Sequence, residues 1–357
     1  MRSLLRRREA GIALALLAVI GVTTVVQPGF LLSAVGWRDL LLTPAILVVL
    51  AVGQAVVVIT RNVDLSVGSV LGLTAYLTGR LFLAAPDLPI IVVTLVAVAT
   101  GALLGLVNGS IVAFARVPAL VITLGTLYVY RGVTLTWAGS DRIDAADMPG
   151  TFLGLGTQQV LGVPVLTIVA AVVLAAVAYY LHTSRGGRQL YAIGSDPEAA
   201  ALQGLPVRRR LLGAFALGGA LAGLAGVMFA ARYGTVSSGA GTGMELQVVG
   251  AVVVGGVAIF GGSGTVVGAA LGAMLLLTIN RALPVVGIPD FWQRAVVGAL
   301  IIGAIALDRV LANRRSRRLA AARDADPPSD ADPPSGPAPQ PDADPPSGPN
   351  DGAEATT

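Results

Sequence analysis

The chain has 357 residues, of which 55% are hydrophobic and 12% charged, against about 25% charged in a soluble domain; its mean hydropathy of +0.79 excludes a water-covered globular fold and points to an all-α polytopic membrane protein. With no cysteine and a single histidine, His182, disulfides, thiolate metal sites, iron–sulfur clusters and histidine-rich metal sites are excluded. All 24 basic residues are arginine, so neither a Schiff-base lysine nor a phosphate-cradling loop with its lysine is available, and no cofactor is implied.

Arg2 and Arg6, Arg7 and Arg8 precede the first apolar run, which extends to about residue 28 without a small-residue cleavage pattern and reads as an uncleaved span. A helix needs about 20 apolar residues to cross a bilayer. The hydropathy pattern predicts ten such helices, at 10–28, 40–59, 66–84, 88–114, 119–137, 162–182, 210–231, 246–261, 265–281 and 292–311. Spans eight and nine are separated only by Gly261, Gly262, Ser263 and Gly264, read as a tight turn. Together these spans make a transmembrane domain over 1–312, with a cytoplasmic loop at 183–210.

The arginines orient the spans. The N-terminus, the 183–210 loop (Arg185, Arg188, Arg208, Arg209, Arg210) and the C-terminal flank (Arg309, Arg314, Arg315, Arg317, Arg318) fall on one side if the spans number ten. Arginine-rich connections favour the cytosol, so both termini are expected there, and the 138–161 loop outside. Residues 313–357 form a basic flank and then an imperfect acidic repeat. From 324 onward there are eight acidic side chains, ten prolines and no base, a composition expected to stay disordered. Residues 1–323 then carry 24 arginines against 12 acids, an excess suited to an anionic membrane face, with no feature calling for nucleic acid.

Two pairs of segments resemble each other. Asp64–Gly68 and Glu245–Val249 each open an apolar helix with acid, Leu, polar, Val; Gly101–Asn108 and Gly272–Asn280 share a glycine-to-asparagine run. Under the ten-span topology the members of each pair run in opposite directions, which suggests an inverted repeat with a substrate path at its interface. Polar groups inside a membrane are functional candidates. Here they are Asp64, Ser66, Asn108, Thr123, Tyr128, Arg131, Glu245, Gln247 and Asn280, of which Asp64, Ser66, Asn108, Thr123, Tyr128, Glu245 and Asn280 are taken as the candidate substrate path. Helix capping fits Asp64 and Glu245 as well, and helix–helix hydrogen bonding fits the neutral residues. No buried His–acid chain or carboxylate ladder is present to relay protons. His182 reads as a helix-end residue.

In the 183–210 loop, Ser195 or Asp196 caps a short helix of about two turns, Pro197 occupies its first position, Glu198 favours its positive end, and Gly204 stops it. Residues Gly194, Asp196, Pro197, Glu198, Ala199, Ala200 and Gly204 are therefore expected to form a handle for another protein, with the alanines allowing close approach.

At these residues the chain resembles the permease subunits of bacterial ABC monosaccharide importers of the ribose, xylose and rhamnose group. The matching stretches are Val63–Ser69, Val117–Thr126 with Tyr130–Gly132, the Gly194–Gly204 loop, and Glu245–Gln247 with Gly255, Gly256 and Phe260–Gly264. The segment 279–293 looks nearest to rhamnose-type members. The resemblance implies a non-catalytic half-pore in the bacterial inner membrane. It also implies ABC ATPase subunits on the cytoplasmic loop, a second permease subunit alike or different, and an extracytoplasmic sugar-binding protein. The same permease type carrying a sugar-derived signal, a nucleoside or a branched-chain amino acid stays open, as, further off, does an ion-coupled secondary transporter.

Overall fold

The computed structural model describes residues 2–115 and 117–289 with scattered positions between 292 and 303. The tenth expected span, the basic flank and the acidic tail lie outside the described residues, those scattered positions apart. In chain order the helices are α1 (Arg2–Val26), α2 (Gly29–Leu32), α3 (Ala34–Ile59), α4 (Val67–Ala84), α5 (Ile90–Ala115), α6 (Ala119–Ala138), α7 (Gly150–Thr157), α8 (Val165–Thr183), α9 (Arg185–Ser195), α10 (Pro197–Leu202), α11 (Val207–Tyr233), α12 (Met244–Val254) and α13 (Val266–Val285). Strands β1 (Gln159–Val160) and β2 (Val163–Pro164) make a small antiparallel hairpin between α7 and α8. The protein is thus an all-α membrane bundle. Among the described residues eight helices are long and apolar enough to cross a bilayer, namely α1, α3, α4, α5, α6, α8, α11 and α13, and they match expected spans one to seven and nine.

The eighth expected span, 246–261, is corrected. Helix α12 has 11 residues, about 16 Å at 1.5 Å per residue, against a hydrocarbon core of about 30 Å. Beyond its cap at Gly255 the chain turns through Gly256, Gly261, Gly262 and Gly264, all at positive φ, a conformation that a glycine adopts freely and a helix cannot contain. Hydropathy registers these residues as apolar and so reads through the break.

Helix α3 is 94% buried along its apolar core and is the centre of the bundle. It runs antiparallel to α11: a Cβ at Gly53 would lie 3.3 Å from Gly218 Cα, while further along α3 Val56 shares a cleft with Gly213 and Ala214, earlier on α11. Each of these two helices begins a unit of three, α3–α4–α5 and α11–α12–α13. The third helix of each unit crosses to the other, α5 packing on α11 and α13 on α3. The α5–α11 crossing is glycine against glycine: a Cβ at Gly101 would lie 2.9 Å from the Gly223 nitrogen, and one at Gly105 3.1 Å from Gly219 Cα. Small residues let the backbones approach where lipid provides no hydrophobic drive. At the opposite end from α9, α7 closes over a second apolar cluster, with Phe82 against Phe152 at 4.7 Å between ring centroids.

Candidate functional site

In each unit the chain is interrupted between the first and second helices. Helix α3 ends at Ile59, Arg61 takes a left-handed φ of 68°, and the chain doubles back beside its own last turns. Gln54, with its amide oriented to satisfy both partners, donates to the Asp64 carbonyl and accepts from the Asp64 N–H at 3.1 Å each. The Asp64 Oδ1 accepts from the Ser66 N–H at 2.8 Å and the Ser66 hydroxyl at 2.7 Å. Asn108 Nδ2 of α5 donates to that hydroxyl at 2.8 Å, and its Oδ1 accepts from the Tyr130 hydroxyl of α6 at 3.1 Å. Thr123 donates to the Val63 carbonyl at 3.1 Å.

The structure therefore gathers Asp64, Ser66, Asn108 and Thr123 into one buried knot that ties α3, α4, α5 and α6 together. Asp64 accepts from the N–H of Ser66, the residue just before α4, so it orders the turn into that helix without capping the helix itself. Leaving a group unpaired at such a site costs about 1–3 kcal/mol. Tyr128 is outside the knot, 69% exposed on the outer face of α6; the tyrosine that completes the knot is Tyr130.

The second unit breaks in the same place. Helix α11 ends at Gly234, in the left-handed region, and Val236 exchanges backbone hydrogen bonds with Ile143 at 3.0 and 2.9 Å. The chain then descends along α4 through Gly239, Gly241 and Gly243 before α12 begins. A Cβ at Gly68 would lie 2.7 Å from the Gly241 carbonyl and 3.3 Å from the Glu245 nitrogen, so the first turns of α4 and α12 meet inside the bundle. Each N-terminus carries unpaired N–H groups and a partial positive charge. Glu245 answers this at α12: its Oε1 accepts from Gly243 N–H at 3.1 Å, and its Oε2 is buried with no partner among the described residues. Arg131 donates to the Ala240 carbonyl. Asn280 on α13 also has a buried Oδ1 without a partner among the described residues.

Beside this meeting point is a cavity of about 560 Å³ between α3, α11, α12 and α13. Its polar lining is Thr43, Tyr233, Thr235, Ser237, Thr242 and Gln247, with Arg142 on the rim. Arg142 is held by Asp144 at 2.7 Å. The interior thus offers hydroxyls and an amide but no carboxylate, which suits a small neutral solute rich in hydroxyl groups. Of the intramembrane polar residues singled out in the sequence, only Gln247 lines it. The 235–243 segment was missed. Its signal is a Ser/Thr/Gly-rich stretch placed between two apolar runs, the mark of an interrupted membrane helix.

At the α9 end, the 183–204 segment is two helices. Ser184 caps α9, accepting from the Gly187 N–H at 2.8 Å. Asp196 caps α10, with Oδ1 accepting from the Glu198 and Ala199 N–H groups at 3.0 Å. Pro197 takes its first position and Gly204, at φ 75°, follows its end. Helix α10 has six residues, close to the expected two turns, and α9 replaces an expected loop. Ala200 is buried within the chain's own fold at 5% exposure, whereas Ala199 and Ala201 are exposed and Leu202 is 87% exposed. The outward apolar group is therefore Leu202, not Ala200.

Helix α9 is fastened to the end of α3 and to the glycine turn after α12. Gly194 abuts the Ile59 carbonyl and the Gly262 nitrogen, and the Gly262 N–H donates to the Ile59 carbonyl at 2.9 Å. Tyr191 donates to the Gly264 carbonyl at 3.0 Å. Burial, with the nearby Glu9 carboxylate, pushes the Tyr191 hydroxyl up to about 12, so it stays a neutral donor at physiological pH. Thr265 donates to Glu9 of α1, which places that end of α1 at the same end of the bundle as α9.

A bundle built on two oppositely directed units, with the starts of α4 and α12 meeting beside a cavity, is the architecture of a solute permease, and the comparisons agree. Residues 38–305 match the family model described as branched-chain amino acid transport system / permease component, and the chain belongs to this family. It is 37% identical over 308 residues to the autoinducer 2 import system permease protein LsrC of Enterobacter sp. (strain 638), covering 86% of this chain and 88% of that protein. It is 36% identical over 328 residues to the protein of the same name from Escherichia coli O9:H4 (strain HS), covering 90% and 94%. No solved structure matches the chain. The chain is thus a multi-pass permease subunit of an ABC-type importer and is not itself a catalyst, as the resemblance implied.

Proposed function

We propose that this chain forms half of the pore of an ABC importer for a small, neutral, hydroxyl-rich solute of the autoinducer 2 type. The observation that carries this reading is the carboxylate-free cavity lined by Ser237, Thr242 and Gln247, placed where the starts of α4 and α12 meet. The names of the relatives support the solute class; ribose and rhamnose are the comparison solutes. Two such chains, or this chain and a related one, complete the pore. ATPase subunits dock on α9 and α10, whose arginine-rich surroundings favour the cytosol, and an extracytoplasmic binding protein delivers solute at the α7 end. Because α9 is fastened to Ile59 and to Gly262, a push on α10 reaches the joints before α4 and after α12 together. Asp64, Ser66, Asn108 and Thr123 hold the joint before α4 and Glu245 holds the start of α12, so their role is to set the geometry of the path.

The test is uptake of labelled autoinducer 2, with unlabelled ribose and rhamnose as competitors, by cells expressing the full transporter. Uptake is expected to persist against both sugars. The Thr242→Leu/Gln247→Leu variant should lose uptake at least tenfold while still co-purifying with its ATPase subunits. Uptake equal to wild type in that variant would overturn the assignment of the cavity, and full competition by rhamnose would overturn the solute.

A further inference from the structure

A second cleft, of about 410 Å³, lies between α8 and α11 at the α9 end of the bundle, within the range of about 300–1,000 Å³ typical of ligand sites. Its walls are apolar, including Val56, Val177, Ala214 and Leu217, and its mouth is Tyr180, Arg209 and Arg210. Val177 and Leu217 belong to helices long and apolar enough to cross a bilayer, so the apolar part of the groove is built from membrane spans. A dry apolar groove left empty there would forfeit its dispersion contacts. Gly213 lies in the wall, and a Cβ there would meet nothing within 4 Å.

The mouth is positive and unneutralised. Arg209 is exposed and makes no ion pair among the described residues. Arg210 spends one nitrogen on Gln189 at 2.6 Å and keeps the rest of its fork beside the Tyr180 hydroxyl, both reaching toward Gly186. Arg208 lies over the Phe114 ring at 5.3 Å, and Arg185 adjoins Gly186, toward which Arg210 reaches. The local acids do not compensate: Asp196 caps α10 and Glu198 is exposed. A basic mouth over an apolar groove at the membrane surface matches a lipid with an anionic head and a hydrocarbon tail. We propose that this cleft binds an anionic phospholipid, its phosphate held by Arg209, Arg210 and Tyr180 and an acyl chain lying along the groove past Gly213.

The experiment is native mass spectrometry of the full-length chain, extracted from vesicles of equal phosphatidylglycerol and phosphatidylcholine. Wild type is expected to retain phosphatidylglycerol in preference to phosphatidylcholine. Arg209→Gln/Arg210→Gln should reduce that preference about 25-fold, the effect of two arginines near an anionic surface. Gly213→Phe should expel both lipids at unchanged thermal stability, since the ring fills open space and glycine is the weaker helix former. Equal retention of the two lipids by wild type, or retention unaffected by both variants, would overturn the proposal. So would displacement of phosphatidylglycerol by inorganic phosphate, which would mark a simple anion site. Disulfide capture of a partner subunit through Gly213→Cys in this cysteine-free chain would show that protein, not lipid, fills the groove.

Discussion

Replacing Gly194 by alanine asks whether α9 and the two helix joints act as one body. The added methyl would stand 2.6 Å from the Gly262 nitrogen and closer still to the Ile59 carbonyl, where real Cβ atoms stay beyond 3.0 Å. The junction must open by at least the missing 0.4 Å, 3.0 less 2.6, on the amide side, and further on the carbonyl side. The hydrogen bond between those same two groups, now 2.9 Å, is then lost. That loss is worth about 1 kcal/mol, and residual overpacking about 1–3 kcal/mol more. At 1.4 kcal/mol per decade, a total of about 2–4 kcal/mol disfavours the closed junction by roughly 30- to 700-fold. The assay is ATP hydrolysis and solute uptake by the reconstituted transporter. The exposed face of α10 is untouched, so ATPase association should persist and hydrolysis continue while uptake falls at least tenfold. Gly125→Ala, with nothing within 4 Å of the new methyl, is the control and should transport normally. Wild-type uptake per ATP in Gly194→Ala would refute the idea that this contact transmits motion.

Three further outcomes are expected. Asn108→Leu removes the two hydrogen bonds that Asn108 makes to Ser66 and Tyr130, which keep Asp64 and the Leu104 carbonyl as partners, and should destabilise the protein by about 1–3 kcal/mol, read as a lower melting temperature in detergent; an unchanged melting point would show that the knot is not structural. Leu202→Glu alters a side chain that is 87% exposed, so melting should be unchanged while co-purification of the ATPase falls at least tenfold; normal co-purification would move the docking site elsewhere. A cysteine introduced by Ser195→Cys should react with an impermeant maleimide only after cells are opened, and labelling of intact cells would invert the topology.

The long helices were legible because each needs only an unbroken apolar run, and that property is local. The breaks were not. Hydropathy scores Gly255 and Gly256 with their apolar neighbours, although Gly256 has left-handed backbone that stops a helix. The costly polar residues were legible one by one, but their partners were not: Asn108 finds Ser66 across two helices, and no periodicity distinguishes Tyr130, pointed at the knot, from Tyr128, pointed away. Capping chemistry, being local, placed Asp196 and Pro197 correctly. It had no view of which side of α10 is covered by the chain itself, so it grouped buried Ala200 with exposed Ala199 and left Leu202 aside.

The crossing of α5 onto α11 has a consequence for synthesis. Gly101 and Gly105 fit against Gly219 and Gly223, residues made more than a hundred positions later; at roughly 5–20 residues per second, the delay is about 5–25 s. Throughout that interval a newly inserted α5 presents a bare glycine groove to lipid or to whatever helix is at hand. The first unit therefore cannot reach its final form alone, and a chain halted before α11 is expected to be recognised as unfinished, because its surface for the second unit is still open.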